Sequence, residues 1–236
     1  MEAIILVGGM GTRLRPYTWI LPKPLLPLGE ISILEITLRR LANYGFTKVT
    51  LAVGHKASFI KHVVSEIQGL PFEVQYLEES EPRGTAGFVF EFKPLDSKYL
   101  VMNGDLLTDL DLRNVLESHN ESEYAASIVC ITRKDQIDYG VLVPDASGSL
   151  SEYREKPTAE YLVSSGIYVI SSAQANALTK KKFLTMPEAL DEFVSTGKKV
   201  KLVRPNCYWM DLGRPDDYHA AIEDYESNPD RFIGKK

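Results

Sequence analysis

The chain has 236 residues, 44% of them apolar, enough for one large domain or two small ones with a sizeable core. Its formal net charge of −5 excludes a globally basic nucleic-acid surface, so any anion site must be a local concentration of charge. Cys130 and Cys207 stand far apart without metal-ligand spacing, which argues against a zinc site or a disulfide framework, and no apolar run approaches the roughly 20 residues that span a bilayer. With no charged and apolar targeting segment either, the protein is expected in the cytoplasm, with neither membrane nor nucleic acid as partner.

The apolar run AIILV (3–7) predicts a strand buried on both faces. It runs straight into Gly8, Gly9 and Gly11. Arg13, Arg15 and Lys23 follow, in a long loop punctuated by Pro16, Pro22, Pro24 and Pro27. SILEITLRRLANYG predicts a helix, with Ser32 as N-cap, Glu35 as its capping-box partner and Gly45 at its end. KVTLAVG reads as a strand, residues 58–68 as a helix, FEVQYLE as an alternating strand, EPRGTAG as a turn-rich loop, and KYLVMNGD as a buried strand ending in Gly104 and Asp105. This alternation predicts a mainly parallel sheet with right-handed crossovers. Asp109 and Asp111 read as caps of the next helix.

The second half changes character. YAASIVCI, YGVLVP, LSEYREK and SSGIYVIS predict consecutive strands, with DASG as a tight turn. MPEALDEFVSTG predicts a helix with Pro187 in its first turn, KVKLVRP and CYWMDLG two short strands, and RPDDYHAAIEDYES a helix opened by Pro215. The expected fold is α/β: a Rossmann-like, mainly parallel sheet flanked by helices and extended by antiparallel strands.

A glycine loop after a buried strand presents successive N–H groups to phosphate oxygens, and Arg13 and Lys23 would add full charges. The spacing is not that of a P-loop, and Leu14 stands where a dinucleotide fingerprint needs its third glycine. Asp105 and Asp211 each end an apolar strand, where open α/β sheets bind ligands. Taken singly, each also reads as a turn or capping residue. Mg²⁺ takes one or two such carboxylates together with phosphate and water oxygens.

The whole string GGMGTRLRPYTWILPKPLLPLG resembles the signature of the sugar nucleotidyltransferases, GGxGTRLxPxT followed by PKPLLP. MNGDLLTDLD is similar to that family's metal motif, EKP to its sugar-phosphate motif, SGIYV to its sugar-pocket strand and YWMDLGRPDDY to its W-x-D-x-G segment, all in the family's order. The resemblance implies one domain of the nucleotide-diphospho-sugar transferase type over 1–236. Its nucleotide-binding half would cover approximately 1–112 and its sugar-phosphate half 113–226, with a polar tail over 227–236. It implies joining an NTP to a sugar 1-phosphate, giving an NDP-sugar and pyrophosphate, with Mg²⁺ shared by Asp105 and Asp211.

Arg13, Lys23 and Asp105 are the implied catalytic residues, Arg13 on the α- and β-phosphates and Lys23 near the α-phosphate. Leu6, Gly8, Gly9, Gly11 and Thr12 would border the nucleotide, Asn103 and Gly104 would lie beside the metal and face its ribose or the sugar, and Gly84 and Gly87 would let the backbone approach the base, with Thr85 and Ala86 leaving room for it. Gly140, Glu155, Lys156, Ser164 and Gly166 match sugar-side positions, with Lys156 on the sugar phosphate. Arg83 departs from the apolar residue many relatives carry and is left between base, phosphate and solvent. Ser164 and Ser165 stand where relatives commonly have Asn-Ala, which leaves room for a bulkier or differently substituted ligand. Tyr139, Tyr153 and Tyr168 read either as a wall of the sugar pocket or as core.

The wording lies nearest the mannose-1-phosphate guanylyltransferases and points to GTP, although CTP, UTP and dTTP relatives share most of the string. Two rival readings remain: a nucleotidyltransferase for a non-sugar phosphate such as phosphocholine or a polyol phosphate, and a catalytically silent subunit that binds NDP-sugar. No hexapeptide array follows the last helix, from which a single-function core is expected. A homodimer is one oligomeric form open to it.

Overall fold

The computed structural model describes residues 1–78, 81, 83–178 and 183–233. The chain opens with β1 (Glu2–Leu6), then a loop holding 3₁₀ turns at Thr12–Leu14 and Lys23–Leu25 on either side of α1 (Tyr17–Ile20). After β2 (Pro27–Leu28) and β3 (Ile31–Ser32) comes α2 (Ile33–Asn43). Ser32 Oγ caps it by accepting from Glu35 N at 3.1 Å. Only half of the expected capping box forms, because the Glu35 carboxylate turns forward and accepts from Arg39 at 2.6 and 2.8 Å. An i,i+4 charge pair outcompetes the return bond.

Next come β4 (Lys48–Val53), α3 (Ala57–Ser65), β5 (Val74–Glu78), α4 (Gly87–Glu91), β6 (Lys98–Asn103), β7 (Leu106–Thr108) and α5 (Leu112–Glu117). Asp111 Oδ1 caps α5 as expected, accepting from Asn114 N at 2.8 Å. Asp109 is no cap: it accepts from Tyr208 N at 2.7 Å and pairs with Arg231 at 2.7 Å, tying two distant segments together. The chain continues through β8 (Ala126–Gln136), β9 (Val141–Pro144), β10 (Leu150–Arg154), β11 (Thr158–Ser171), α6 (Ser172–Ala175), α7 (Met186–Ser195), β12 (Val200–Val203), β13 (Trp209–Asp211), α8 (Pro215–Ser227) and α9 (Pro229–Ile233). Thr185 and Glu188 form a complete capping box at α7.

Seven strands form one sheet in the order β12-β8-β11-β6-β1-β4-β5. Every neighbouring pair is parallel except the two that involve β11. The sheet is therefore mainly parallel, as the alternation of elements demanded. From β1 the chain steps outward to β4 and β5, then returns to place β6 on β1's other side. The crevice beyond the paired ends of β1 and β6, where Leu6 faces Asn103, is thus the topological switch point.

Strands β8 and β11 run well past the apolar segments that announced them. They pair from Gln136–Thr158 onward as a ribbon beyond the sheet. The ribbon is held by cross-strand contacts such as Lys134–Glu160 at 2.6 Å, and its charged residues concealed it from a pattern based on burial. Apolar side chains cover both faces of the sheet. Leu34, Leu38 and Phe46 lie in one cluster; Phe88, Tyr99 and Phe193 lie in another. Within the polar stretch 227–236, α9 is docked: Phe232 is fully buried and its carbonyl accepts from Arg40 at 2.8 Å. No helix among the described residues is long and apolar enough to cross a membrane.

Candidate active site

A cavity of about 400 Å³ opens at the switch point. Its lining includes Leu6, Gly8, Gly9, Gly11, Thr12, Arg13, Lys23, Gly84, Thr85, Asn103 and Asp105, which gathers nearly every residue singled out for the nucleotide and for catalysis. Gly104 lies just beneath: its N–H donates to Leu6 O at 2.9 Å, and a Cβ there would collide with Val7.

The loop between β1 and α2 is shaped by its own contacts. Gly11 is left-handed, at φ +60, and a Cβ would stand 2.9 Å from the Thr18 methyl and 3.1 Å from Lys23 Cβ. Thr18 Oγ1 donates to Gly11 O at 2.7 Å. Leu14, the residue that excluded a dinucleotide fingerprint, is fully buried and anchors the loop in a third apolar cluster. At Gly9 a Cβ would meet nothing within 4 Å, so the space above it belongs to the cavity.

Lys23 is only 8% exposed, yet its ammonium has two partners. Nζ is hydrogen-bonded to Asp105 Oδ2 and stands 3.5 Å from Asp211 Oδ1. The two aspartates meet because β7 pairs with β13: Asp211 lies opposite Leu106, and Leu212 N donates to Asp105 O at 3.1 Å. Burial raises the Asp211 pKa from its ordinary value, and the negative charge of Asp105 adds to it; Lys23 and Arg13 oppose both. Two crowded carboxylates with a cation between them form a donor set that suits a hard divalent ion sharing its shell with phosphate and water oxygens. Among the described residues no cluster of three or more His, Cys, Asp or Glu could hold a metal through protein ligands alone.

The expected base loop lines the cavity through Gly84 and Thr85, with Pro82 outside the described residues. Packing requires both of its glycines. A Cβ at Gly84 would strike Leu184 O, and one at Gly87 would strike Arg83 Cβ. Arg83 pairs with Glu91. The loop is stapled to the entry of α7 by Leu184 N to Arg83 O at 2.7 Å, Ala86 N to Leu184 O at 2.9 Å and Met186 N to Thr85 Oγ1 at 2.9 Å.

The sugar-side residues divide. Gly166, at φ +77, packs directly on Asn103, and Trp209 Nε1 holds the neighbouring Ser165 O at 2.9 Å. Ser164 Oγ is 3.0 Å from Tyr168 Oη and accepts from Gly166 N at 3.3 Å. Gly140, Glu155 and Lys156 flank the β9–β10 hairpin and do not line the cavity. There Gly140 makes room for the Tyr153 ring, whose hydroxyl donates to Glu155 at 2.8 Å. Tyr168 is buried, whereas Tyr139 and Tyr153 are exposed, so the three do not build one wall. The lining also holds Phe88 and Phe183, which sequence reading passed over. Phe88 directly follows the EPRGTAG motif, but Phe183 carries no motif signal.

Residues 2–228 match the Nucleotidyl transferase family, and the chain belongs to that family. A mannose-1-phosphate guanyltransferase of Pichia angusta is 31% identical over 232 residues, covering 94% of this chain and 63% of the relative. A UTP–glucose-1-phosphate uridylyltransferase of Synechocystis is 29% identical over 242 residues, covering 94% and 62%. The chain thus spans less than two thirds of the length of these curated relatives. The crystal structure of HddC from Yersinia pseudotuberculosis, also solved with GMP-PN, superposes at a TM-score of 0.75 with 25% identity, covering 95% of this chain and 99% of that one. The resemblance carried by the motif string and the fold expected from it both hold.

Proposed function

We propose that the chain joins a nucleoside triphosphate to a sugar 1-phosphate, releasing pyrophosphate. The observation that carries this reading is the Lys23 ammonium held between Asp105 and Asp211 at the rim of a glycine-walled cavity. An oxygen of the sugar phosphate attacks the α-phosphorus. A new P–O bond forms as the bond to the α–β bridging oxygen breaks, and pyrophosphate leaves with the electron pair. A phosphate monoester is already an adequate nucleophile, so no side chain needs to remove a proton.

The work of this chain's residues is positioning and charge stabilisation. Backbone amides of Gly8 to Thr12 cradle the triphosphate, Arg13 grips oxygens of the leaving group, and Lys23 neutralises the reacting α-phosphate. Asp105 and Asp211 would hold Mg²⁺, which supplies Lewis-acid charge neutralisation to the phosphates. Guanine is the proposed base and mannose 1-phosphate the first sugar phosphate to test. Their support is the motif wording, the guanylyltransferase relatives and the GMP-PN complex of the Yersinia protein.

The test is pyrophosphate release with Mg²⁺, each of four NTPs, and a panel of sugar 1-phosphates together with phosphocholine and a polyol phosphate. Release with GTP and a sugar 1-phosphate is expected. Release only with a non-sugar phosphate moves the acceptor class, and no release with any pair overturns the reading.

A further inference from the structure

We infer that Phe183 is the stacking surface for the nucleobase, an inference that rests on the proposed occupancy of the cavity by a nucleoside triphosphate. The cavity lining contains two groups of residues tied by their own contacts. In one, Lys23 is bonded to Asp105 and packs against Gly11, with Arg13 two residues beyond that glycine. In the other are Phe183, Phe88, Gly84 and Thr85, joined through Leu184 and Met186, and the Thr85 hydroxyl is already engaged as acceptor for Met186 N. A triphosphate belongs with the cations, which leaves the uncharged group for its base.

Of the two phenylalanines there, Phe88 is 5% exposed and belongs to the core behind the wall. Phe183 is 52% exposed, so its ring is available to a ligand. Its position is nonetheless fixed. The next residue, Leu184, makes two backbone hydrogen bonds with the loop 83–86, and a Cβ on Gly84 would stand 3.2 Å from Phe183 Cζ. The absent side chain at Gly84 thus lets the ring settle over the base loop. An aromatic face offers affinity to any base, since every base has a π-face, so Phe183 contributes tightness and leaves base choice to other groups.

The experiment compares the wild type with Phe183→Ala, Phe183→Leu and Phe183→Tyr by calorimetry against GTP, GMP and inorganic pyrophosphate, alongside initial rates. Expected for Phe183→Ala is a loss of roughly tenfold or more in affinity for both GTP and GMP, unchanged pyrophosphate binding, and a raised KM with kcat largely kept. Phe183→Leu should recover little and Phe183→Tyr most of the affinity. Because the ring is half exposed, unfolding curves of all variants should superimpose. Native GTP affinity in Phe183→Ala, or an equal loss for pyrophosphate, overturns the stacking role while the proposed function stands. A wild type that binds neither GTP nor GMP overturns both.

Discussion

Asn103 fills the space that Gly166 leaves: a Cβ at 166 would stand 2.5 Å from Asn103 Nδ2. Asn103 lines the cavity at the end of β6, whereas Gly166 sits where the β8–β11 register breaks. At this contact, just beyond the β6–β11 ladder, the expected sugar-side strand meets a residue of the cavity lining. Gly166 is also left-handed, at φ +77, a conformation that costs a residue with a Cβ about 1–2 kcal/mol. Gly166→Ala is therefore expected to lower Tm by about 3–6 °C and to raise KM for the NTP by displacing Asn103. Thermal unfolding and initial rates check both; a native KM would show that Asn103 has no part in binding.

Asp211 gives a prediction in which stability and activity part. Its raised pKa means that ionisation is less favourable in the folded chain than in the unfolded one, through burial first and Asp105 second. The sign follows: the cost is absent at acid pH, where the group is protonated in both states, and is paid as pH rises through the folded pKa. Asp211→Asn removes that cost. Its Tm at pH 7 should equal or exceed the wild-type value, and the gain should vanish as pH falls below about 4. Turnover with Mg²⁺ should drop roughly 10²-fold. A Tm that falls at pH 7 would mean that the carboxylate is held for stability.

Arg13 lies exposed on the 3₁₀ turn Thr12–Leu14, within reach of the charge of Asp211. Its side chain is not part of the core, so Arg13→Ala should unfold at the wild-type temperature. The cost should fall on kcat/KM, by roughly 10²-fold or more, because the cation proposed to meet the leaving group is lost. Turnover at the native rate would remove Arg13 from the chemistry.

The glycine loop was legible because the chemistry it needs is local: amides, cations and prolines within one continuous string. Asp105 and Asp211 were legible singly, as strand-ending carboxylates, but only the β7–β13 ladder brings them to one ammonium. The packing demand at Gly84 and Gly87 was not legible, because the atoms that would collide with their side chains come from Leu184 and Arg83, fixed by tertiary structure. Phe183 was invisible for the same reason: an aromatic residue without a motif gains meaning only when the entry to α7 is stapled to the loop 83–86. The β8–β11 ribbon was half missed because cross-strand charge pairs replace the apolar alternation that marks a strand.

His119 links pH to stability away from the cavity. It is 1% exposed, with Nδ1 2.7 Å from Ser127 Oγ and Nε2 2.8 Å from Ser171 Oγ. Burial first and Lys98 second push its pKa down to about 4; Glu121 opposes them, and Lys201 adds a smaller push. Below the unfolded pKa of about 6.5 the unfolded chain binds a proton that the folded chain refuses. Stability is thus lost as pH falls from about 6.5 toward 4, by roughly 2 kcal/mol at pH 5. His119→Gln retains a donor and an acceptor but cannot titrate. Urea midpoints at pH 7 and pH 5 should converge in the variant relative to wild type; an identical pH slope would show that other groups carry the acid sensitivity.

Lys56, at the N-terminus of α3, braces the loop that follows β1. Its backbone is left-handed, at φ +58, unusual for a residue with a side chain. Its Nζ donates to Trp19 O at 2.9 Å and Ile20 O at 2.8 Å, with Thr18 O at 3.4 Å. These carbonyls are at the C-terminal end of α1, where a cation satisfies orphan acceptors. Thr18 in turn holds Gly11 O, so the brace reaches the loop that carries Arg13 and Lys23. Lys56→Met keeps the apolar stem and removes the donors. KM for the NTP should rise about tenfold, corresponding to roughly 1.4 kcal/mol of lost loop order, with kcat changed less. Lys56→Arg, which can still donate to the same carbonyls, should restore most of the affinity. Unchanged KM together with a lowered Tm would reduce Lys56 to a stabilising strut with no bearing on the bound nucleotide.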